Sequence, residues 1–171
     1  LGALAGANNL TISAGTTVTL AGANIASLDI SAASDVTFNG DFVTSGATTV
    51  NTATGTITVT AGTGSIQAGG AVILNADTVV DNHLISGNSV SITGATAIDL
   101  SGDVNGNNGL VEFSGIPVTL TGDSIVSSAN GNVTFDLNVL GAHNLTVNAK
   151  STVTFSSTVG VGVKLIVKLL S

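Results

Sequence analysis

The last forty residues of the chain contain the same sequence pattern twice. Residues 132–151 read NVTFDLNVLGAHNLTVNAKS, residues 152–171 read TVTFSSTVGVGVKLIVKLLS, and an ungapped alignment gives seven identical positions. A unit of about twenty residues cannot bury its own apolar face, so units of this length stack on one another. The repeat therefore predicts a solenoid in which each unit forms one coil.

Two further copies of the pattern are weaker and lie upstream. Each has an apolar residue or a proline four residues after a Phe and another apolar residue twelve after it. The two copies are Val36–Phe38 with Phe42 and Val50, and Val111–Phe113 with Pro117 and Ile125. We therefore interpret both segments as coils in the same register as the terminal pair.

Short apolar–polar–apolar triplets recur along the whole chain, as in Leu10–Ile12, Val18–Leu20 and Leu28–Ile30. In a strand, the outer two residues of such a triplet share one face and the middle residue lies on the other. Successive triplets begin about eight to twelve residues apart, with Gly, Asn and Asp turn signals between them. This spacing predicts coils built from two strands and two turns.

The composition favours strands over helices. The chain is rich in β-branched residues, Gly, Thr, Ser and Asn, and it has one Glu, one Gln and no Arg. We expect an all-β parallel β-helix, or β-solenoid, that occupies residues 1–171 as one continuous domain. About eight or nine coils at a strand spacing of about 4.8 Å give a rod about 40 Å long. An antiparallel sandwich is the alternative, but identities in register between coils favour parallel stacking.

Charge excludes two classes of partner. Ten acidic residues against three Lys give a net charge of −7, which opposes binding to nucleic acid and docking on anionic membranes. No apolar run is long enough for a membrane-spanning helix, and the absence of Cys excludes disulfides and thiolate metal sites. The segment Leu1–Ala7 has the small-residue pattern of a signal-peptide end, or it forms the first turn of the solenoid.

Five side chains are the candidates for chemistry: His83, His143, Asp99, Asp103 and Asp123. The two His lie about three coils apart, too far to share a ligand. Asp103 and Asp123 are twenty residues apart, which places them on neighbouring rungs, as in the acid pairs of some glycosidases. The chain has no Arg, Tyr or Trp to bind a sugar. We therefore expect no catalytic, cofactor or metal site, and an adventitious calcium site at these acids is the remaining alternative.

Outward Thr pairs offer another reading of the surface. Pairs such as Thr17 with Thr19 and Thr56 with Thr58 resemble the flat Thr arrays of ice-binding solenoids. The pairs do not recur at one fixed offset. We therefore interpret them as ordinary exposed strand residues.

The most hydrophobic segment of the chain is Val163–Leu170, and no polar capping repeat follows it. An uncovered apolar strand is a pairing site for another strand. We expect self-association through this open end, with Val163, Leu165, Val167 and Leu169 at the contact. The alternative is that a longer solenoid continues from it.

The terminal repeat resembles the repeat region of filamentous-haemagglutinin-type bacterial surface proteins. That family alternates a VTF strand, a short Val-Gly turn and an LTV strand. The matching segments are Val133–Phe135, Val139–Gly141, Leu145–Val147, Val153–Phe155 and Val159–Gly160. The resemblance covers residues 10–167, and the match is strong only at the C-terminal end. It departs after Gly160, where Val161–Lys164 replaces the expected polar turn.

The resemblance implies a right-handed parallel β-helix, export across a Gram-negative envelope and a role as an extended adhesin or fibre. We therefore expect an extracellular or cell-surface structural protein that binds a host or matrix surface through its strands. The alternative from another class is a polysaccharide-active β-helix enzyme, a lyase or glycosidase. That alternative requires an acid cluster with an aromatic or basic companion on one face.

Overall fold

The computed structural model describes residues 4–5, 8–32 and 34–171, and these residues form strands and turns without helix. Of the proposed signal-peptide segment, only Leu4 and Ala5 fall within the described residues. The strands are β1 (Leu4–Ala5), β2 (Asn9–Ala14), β3 (Val18–Leu20), β4 (Ala23–Ile25), β5 (Ser27–Ala32), β6 (Val36–Phe38), β7 (Asp41–Thr44), β8 (Thr48–Thr52), β9 (Thr56–Val59), β10 (Ser65–Ala68), β11 (Val72–Asp81), β12 (Leu84–Gly87), β13 (Val90–Leu100), β14 (Asp103–Gly106), β15 (Val111–Ser114), β16 (Val118–Leu120), β17 (Ser124–Ser128), β18 (Val133–Phe135), β19 (Val139–Gly141), β20 (Asn144–Ala149), β21 (Val153–Phe155) and β22 (Lys164–Leu169).

The strands stack as a parallel β-solenoid of about eight turns, which confirms the predicted fold class. Face 1 is a nine-stranded sheet with the order β1-β4-β7-β10-β12-β14-β17-β20-β22. A second, thirteen-stranded sheet bends around a corner and supplies two faces. Face 2 runs from β2 through β5, β8 and the first half of β11 and β13 to β21. Face 3 runs from β3 through β6, β9 and the second half of β11 and β13 to β19.

Each coil therefore contributes three strands, and the prediction of two strands per coil is wrong. The strands that the triplet pattern does not reveal belong mostly to face 1, although β20 of that face contains the triplet Leu145–Val147. A strand such as β14 has one large inward side chain, Val104, and ends in Gly106. Such a short strand lacks the apolar–polar–apolar pattern, although its hydrogen bonds to its neighbours are as regular as those of the other faces.

In-register pairing turns the sequence repeat into columns of identical side chains. Val133 pairs with Val153 and Phe135 with Phe155, as the terminal repeat predicts. The ring of Phe135 stacks between two neighbours, with centroids 4.8 Å from Phe113 and 5.0 Å from Phe155 and planes within 3° of parallel. This separation matches the strand spacing, because the rings repeat with the backbone.

The upstream copies fit the structure only in part. Val36–Phe38 lies on face 3, where Val36 pairs with Ile57, so its alignment with the face 2 strand Val133–Phe135 is wrong. The copy at Val111–Phe113 is correct and pairs with Val133–Phe135. Its later positions are displaced by one residue, because Val118 rather than Pro117 pairs with Val139.

The displacement arises at a corner that contains one extra residue around Gly115. This glycine has a φ of 90°, and a Cβ there would lie 2.1 Å from the carbonyl oxygen of Gly94 in the coil below. Gly141 has a φ of 109° and meets the Leu120 oxygen in the same way. Corners that stack at strand spacing thus require glycine for both the backbone angle and the close approach.

The core is a continuous apolar column inside the three faces. Its largest fully buried side chains are Phe38, Phe42, Phe113 and Phe135. The C-terminal strand β22 differs from the others, because it pairs with β20 but all six of its residues are exposed. Among the described residues, no helix is long and apolar enough to cross a membrane.

Phe135→Ala should lower the free energy of unfolding by about 3–5 kcal/mol, since it removes a fully buried ring from the middle of a stack. Thr134→Ala, one residue away on the outer surface, should change it by less than about 0.5 kcal/mol. Urea titration of both variants measures the difference. Equal losses would contradict the inward and outward assignment of this strand.

Candidate functional site

The structure brings two of the predicted acids together in an open groove on face 1, near its C-terminal end. The groove has a volume of about 500 Å³. Its lining residues are Asp103, Asp123, Ser124, Ile125, Asn144, Thr146 and Ile166. The carboxylates of Asp103 and Asp123 both lie on its wall, so this groove is the candidate site for an acid pair.

Both carboxylates of the groove bind the backbone of the next coil. Asp103 Oδ1 accepts a hydrogen bond of 2.9 Å from the Ile125 N–H. Asp123 Oδ1 accepts one of 2.9 Å from the Asn144 N–H, and its Oδ2 accepts one of 2.6 Å from the Asn144 side-chain amide. These side chains therefore cap strands and hold neighbouring coils in register.

The hydrogen bonds from Asn144 also decide the charge of Asp123. Its backbone N–H, then its side-chain amide, and then nearby His143 favour the ionised carboxylate and lower the pKa of Asp123. Asp123 is thus an anion at neutral pH and accepts hydrogen bonds. A general acid for glycoside cleavage needs a raised pKa instead.

Of the remaining candidates, His143 lies next to Asp123, whereas His83 and Asp99 lie elsewhere. His143 Nδ1 is 3.6 Å from Asp123 Oδ1 at the rim of the groove. His83 lies several coils from His143, and its Nδ1 is 2.7 Å from the Gly64 oxygen. Asp99 lies outward on face 3, between Val80 and Thr119 of the neighbouring strands. Within the described part of the chain, no three His, Asp or Glu side chains are grouped so that they could hold a metal ion.

The capping seen in the groove recurs at other corners. Asp35 Oδ1 accepts a hydrogen bond of 2.8 Å from the Thr56 N–H, one coil later. Asn138 Oδ1 accepts one of 3.0 Å from the Thr158 N–H. Because the same contact appears outside this groove, a structural role as strand caps accounts for the positions of Asp103 and Asp123.

A smaller groove lies at the corner between faces 2 and 3, with a volume of about 250 Å³. Asp77 lies on its wall and accepts a hydrogen bond of 2.6 Å from the Thr96 hydroxyl. Asn75 donates to Asn51 on the strand below, at 2.7 Å. This surface therefore offers hydroxyl, amide and carboxylate groups that are hydrogen-bonded to one another.

The outward positions of face 3 show why the Thr pairs make no continuous array. Thr19, Thr37 and Thr58 are paired in successive coils. The next two positions of the same column are Val80 and Asp99. The Thr ladder is therefore interrupted in the middle of the solenoid.

Sequence reasoning missed one ionisable residue of the core, Asp81. Only 1% of its surface is exposed, and burial is the main cause that raises its pKa to about 7. The available signal is the triplet Val79–Asp81, which ends in a carboxylate where the paired triplet Ile98–Leu100 ends in an apolar residue.

Asp123→Ala should lower the melting temperature, because the Asn144 N–H loses its cap, whereas Asp123→Asn keeps an acceptor oxygen and should lower it less. A carboxyl with a lowered pKa stabilises the fold when it is ionised in both states, above the ordinary pKa of about 4, and this contribution is lost as pH falls further. The difference between wild type and Asp123→Ala should therefore shrink at acid pH. Calorimetry at pH 7 and pH 3 tests this, and a difference unaffected by pH would contradict it.

Comparison with known proteins adds no family to this picture. No protein-family model matches the chain, no curated protein matches it, and no solved structure matches it. The structure supports a β-helical repeat protein. The haemagglutinin-type relationship depends on the terminal repeat sequence and stays a prediction.

Proposed function

We propose that this chain is a structural segment of an extracellular fibre or adhesin stalk, of the kind that the haemagglutinin-type resemblance implies. The single observation that supports it best is the uninterrupted parallel stack. Nine strands of face 1 follow one another in strict order, and the outward residues remain mostly polar throughout. A stack of similar coils extends the protein in one direction, and such an elongated shape suits a spacer.

The stack supplies rigidity through its backbone. Among the described strands every pairing between coils is parallel, with a register shift between Ala76 and Thr78, and the inward columns are almost fully buried up to the last coil. Eight turns at a strand spacing of about 4.8 Å give a rod of about 40 Å. In such arrays each coil contacts only its neighbours, so length grows by adding coils without a new core.

The outer surface suits contact through shape and hydrogen bonds. Its outward columns consist mainly of Thr, Ser and Asn, with few charges. The net charge of −7 disfavours phosphate-bearing partners. The extracellular location and the binding of a host or matrix surface are part of the proposal and rest on the family resemblance.

Strand β22 gives the segment a means of assembly. Its side chains include Ile166, which is 51% exposed, and Leu169, which is 65% exposed. The three lysines of the chain, Lys150, Lys164 and Lys168, all lie at this end, whereas the acidic residues lie in the preceding coils. This charge separation favours a head-to-tail contact, and we propose a second copy of the chain as the partner of this edge.

Ile166→Pro and Val167→Asp should each prevent lengthwise association, because one removes a backbone donor and the other places a charge in the contact. Leu140→Asp is the matched control, since Leu140 is similarly apolar and 39% exposed but lies on face 3. Light scattering over a range of concentrations, with electron microscopy of the same samples, should show rods that lengthen for the wild type and the control only.

A wild type that stays a single rod of about 40 Å at every concentration would reject self-assembly while leaving the spacer role. A compact particle in the micrographs would reject the spacer role itself. Association that persists in both β22 variants would place the contact elsewhere.

The polysaccharide-enzyme alternative predicts turnover that depends on the groove acids. We expect pectins, glucans and chitin to remain uncleaved, because Asp103 and Asp123 are engaged as strand caps. Reducing-end assays on the wild type, with Asp103→Asn and Asp123→Asn as matched variants, test this. Reproducible cleavage that either variant abolishes would favour the enzyme.

A further inference from the structure

Asp81 occupies an apolar column in the middle of the solenoid. On face 3 it pairs with Val59 of the preceding coil and with Leu100 of the following coil. The same column continues in both directions through Phe38 and Leu120. A carboxyl group thus stands where the two residues on either side of it along the column have hydrocarbon side chains.

The carboxyl group is only half satisfied. Its Oδ1 accepts a hydrogen bond of 3.2 Å from the His83 N–H, whereas its Oδ2 is buried and has no hydrogen-bond partner. Among the described residues, Ser124 Oγ is the other buried side-chain atom in this condition. A carboxylate anion needs several donors when it leaves water, so this site suits the neutral acid better.

The backbone fixes the carboxyl in place. The Asp81 carbonyl oxygen accepts hydrogen bonds from the N–H groups of Ser101 and Gly102, at 2.8 and 3.0 Å. A Cβ at Gly102 would lie 2.7 Å from Asp81 Oδ1. The carboxyl therefore lies against the backbone of the next coil, and it has little room to turn toward solvent.

Among the described residues, no lysine compensates a charge at this position. Asp103, on β14, is the nearby charge that acts on Asp81, and it is also negative. Asp99, on β13, lies on an outward position, and the ring of His83 is directed to the Gly64 oxygen. The strand on the other side, β9, has no ionisable residue, and all lysines come after residue 149.

We propose that protonation of Asp81 controls the local stability of the solenoid: the coils formed by β11 to β14 pack tightly while its carboxyl is neutral and loosen when it ionises. Burial, opposed by the His83 N–H and reinforced by Asp103, raises its pKa from 3.8 to about 7. The folded chain thus retains this proton at a pH at which the unfolded chain has released it. Stability falls as pH rises from about 4 to about 7 and levels off above that range.

The experiment compares wild type with Asp81→Asn, which keeps the shape of the neutral acid but cannot ionise. Urea unfolding is followed at pH 4.5 and pH 8. For the wild type the folded-to-unfolded ratio should fall by at least about tenfold, since each unit of pKa difference corresponds to a factor of ten. In Asp81→Asn most of this fall should disappear. Asp99→Asn removes the same charge from an outward position and should behave as the wild type does.

Hydrogen exchange gives a local measurement in case unfolding is irreversible. The Gly102 amide, which donates to the Asp81 carbonyl oxygen, should exchange faster relative to the Thr134 amide at pH 8 than at pH 4.5, after correction for intrinsic rates, and Asp81→Asn should suppress the change. Asp81→Leu, which matches its column, provides a second non-ionising variant. A pH response that survives in both variants, or that Asp99→Asn also removes, would overturn the proposal.

Discussion

The parallel hydrogen-bond ladder between successive coils is the constraint on which the whole structure depends. It fixes the coil spacing near 4.8 Å and puts each residue directly beside its counterpart one coil away. The same residue type therefore recurs along a column, as in the three stacked rings of Phe113, Phe135 and Phe155. The small corners follow as well, because the carbonyl oxygen of one corner lies where a Cβ of the next would be at Gly115 and Gly141.

Much of this architecture is readable from the sequence where strands have two large inward side chains. The terminal repeat predicts the pairing of Val133 with Val153, and period-two alternation predicts which residues face the core. Most of face 1 is not readable in this way, although its strand β20 contains the inward pair Leu145 and Val147. A strand such as Asp103–Gly106 has one large inward residue, and its identity depends on hydrogen bonds to sequence-distant coils. The extra residue near Gly115 likewise shifts the register without leaving a clear signal.

The candidate site shows the same division. A twenty-residue offset correctly predicts that Asp103 and Asp123 lie close together, on the wall of one groove. It does not predict that each carboxylate binds a backbone N–H of the following coil, because that contact depends on corner geometry. Asp81 was missed for a related reason. A single carboxylate at an inward position is visible only after the triplets have been assigned to the correct face.

In-register stacking also limits how such a chain can lengthen during evolution. Among the described strand pairs, no two carboxylates are opposite each other: Asp29 pairs with Thr49, and Glu112 pairs with Thr134. A coil duplicated with its charges intact would set like charges one strand spacing apart, which is destabilising. In the terminal repeat, Ser156 stands where the preceding copy has Asp136. Duplication of coils therefore favours neutral polar residues, which accounts for a surface built mainly from Thr, Ser and Asn.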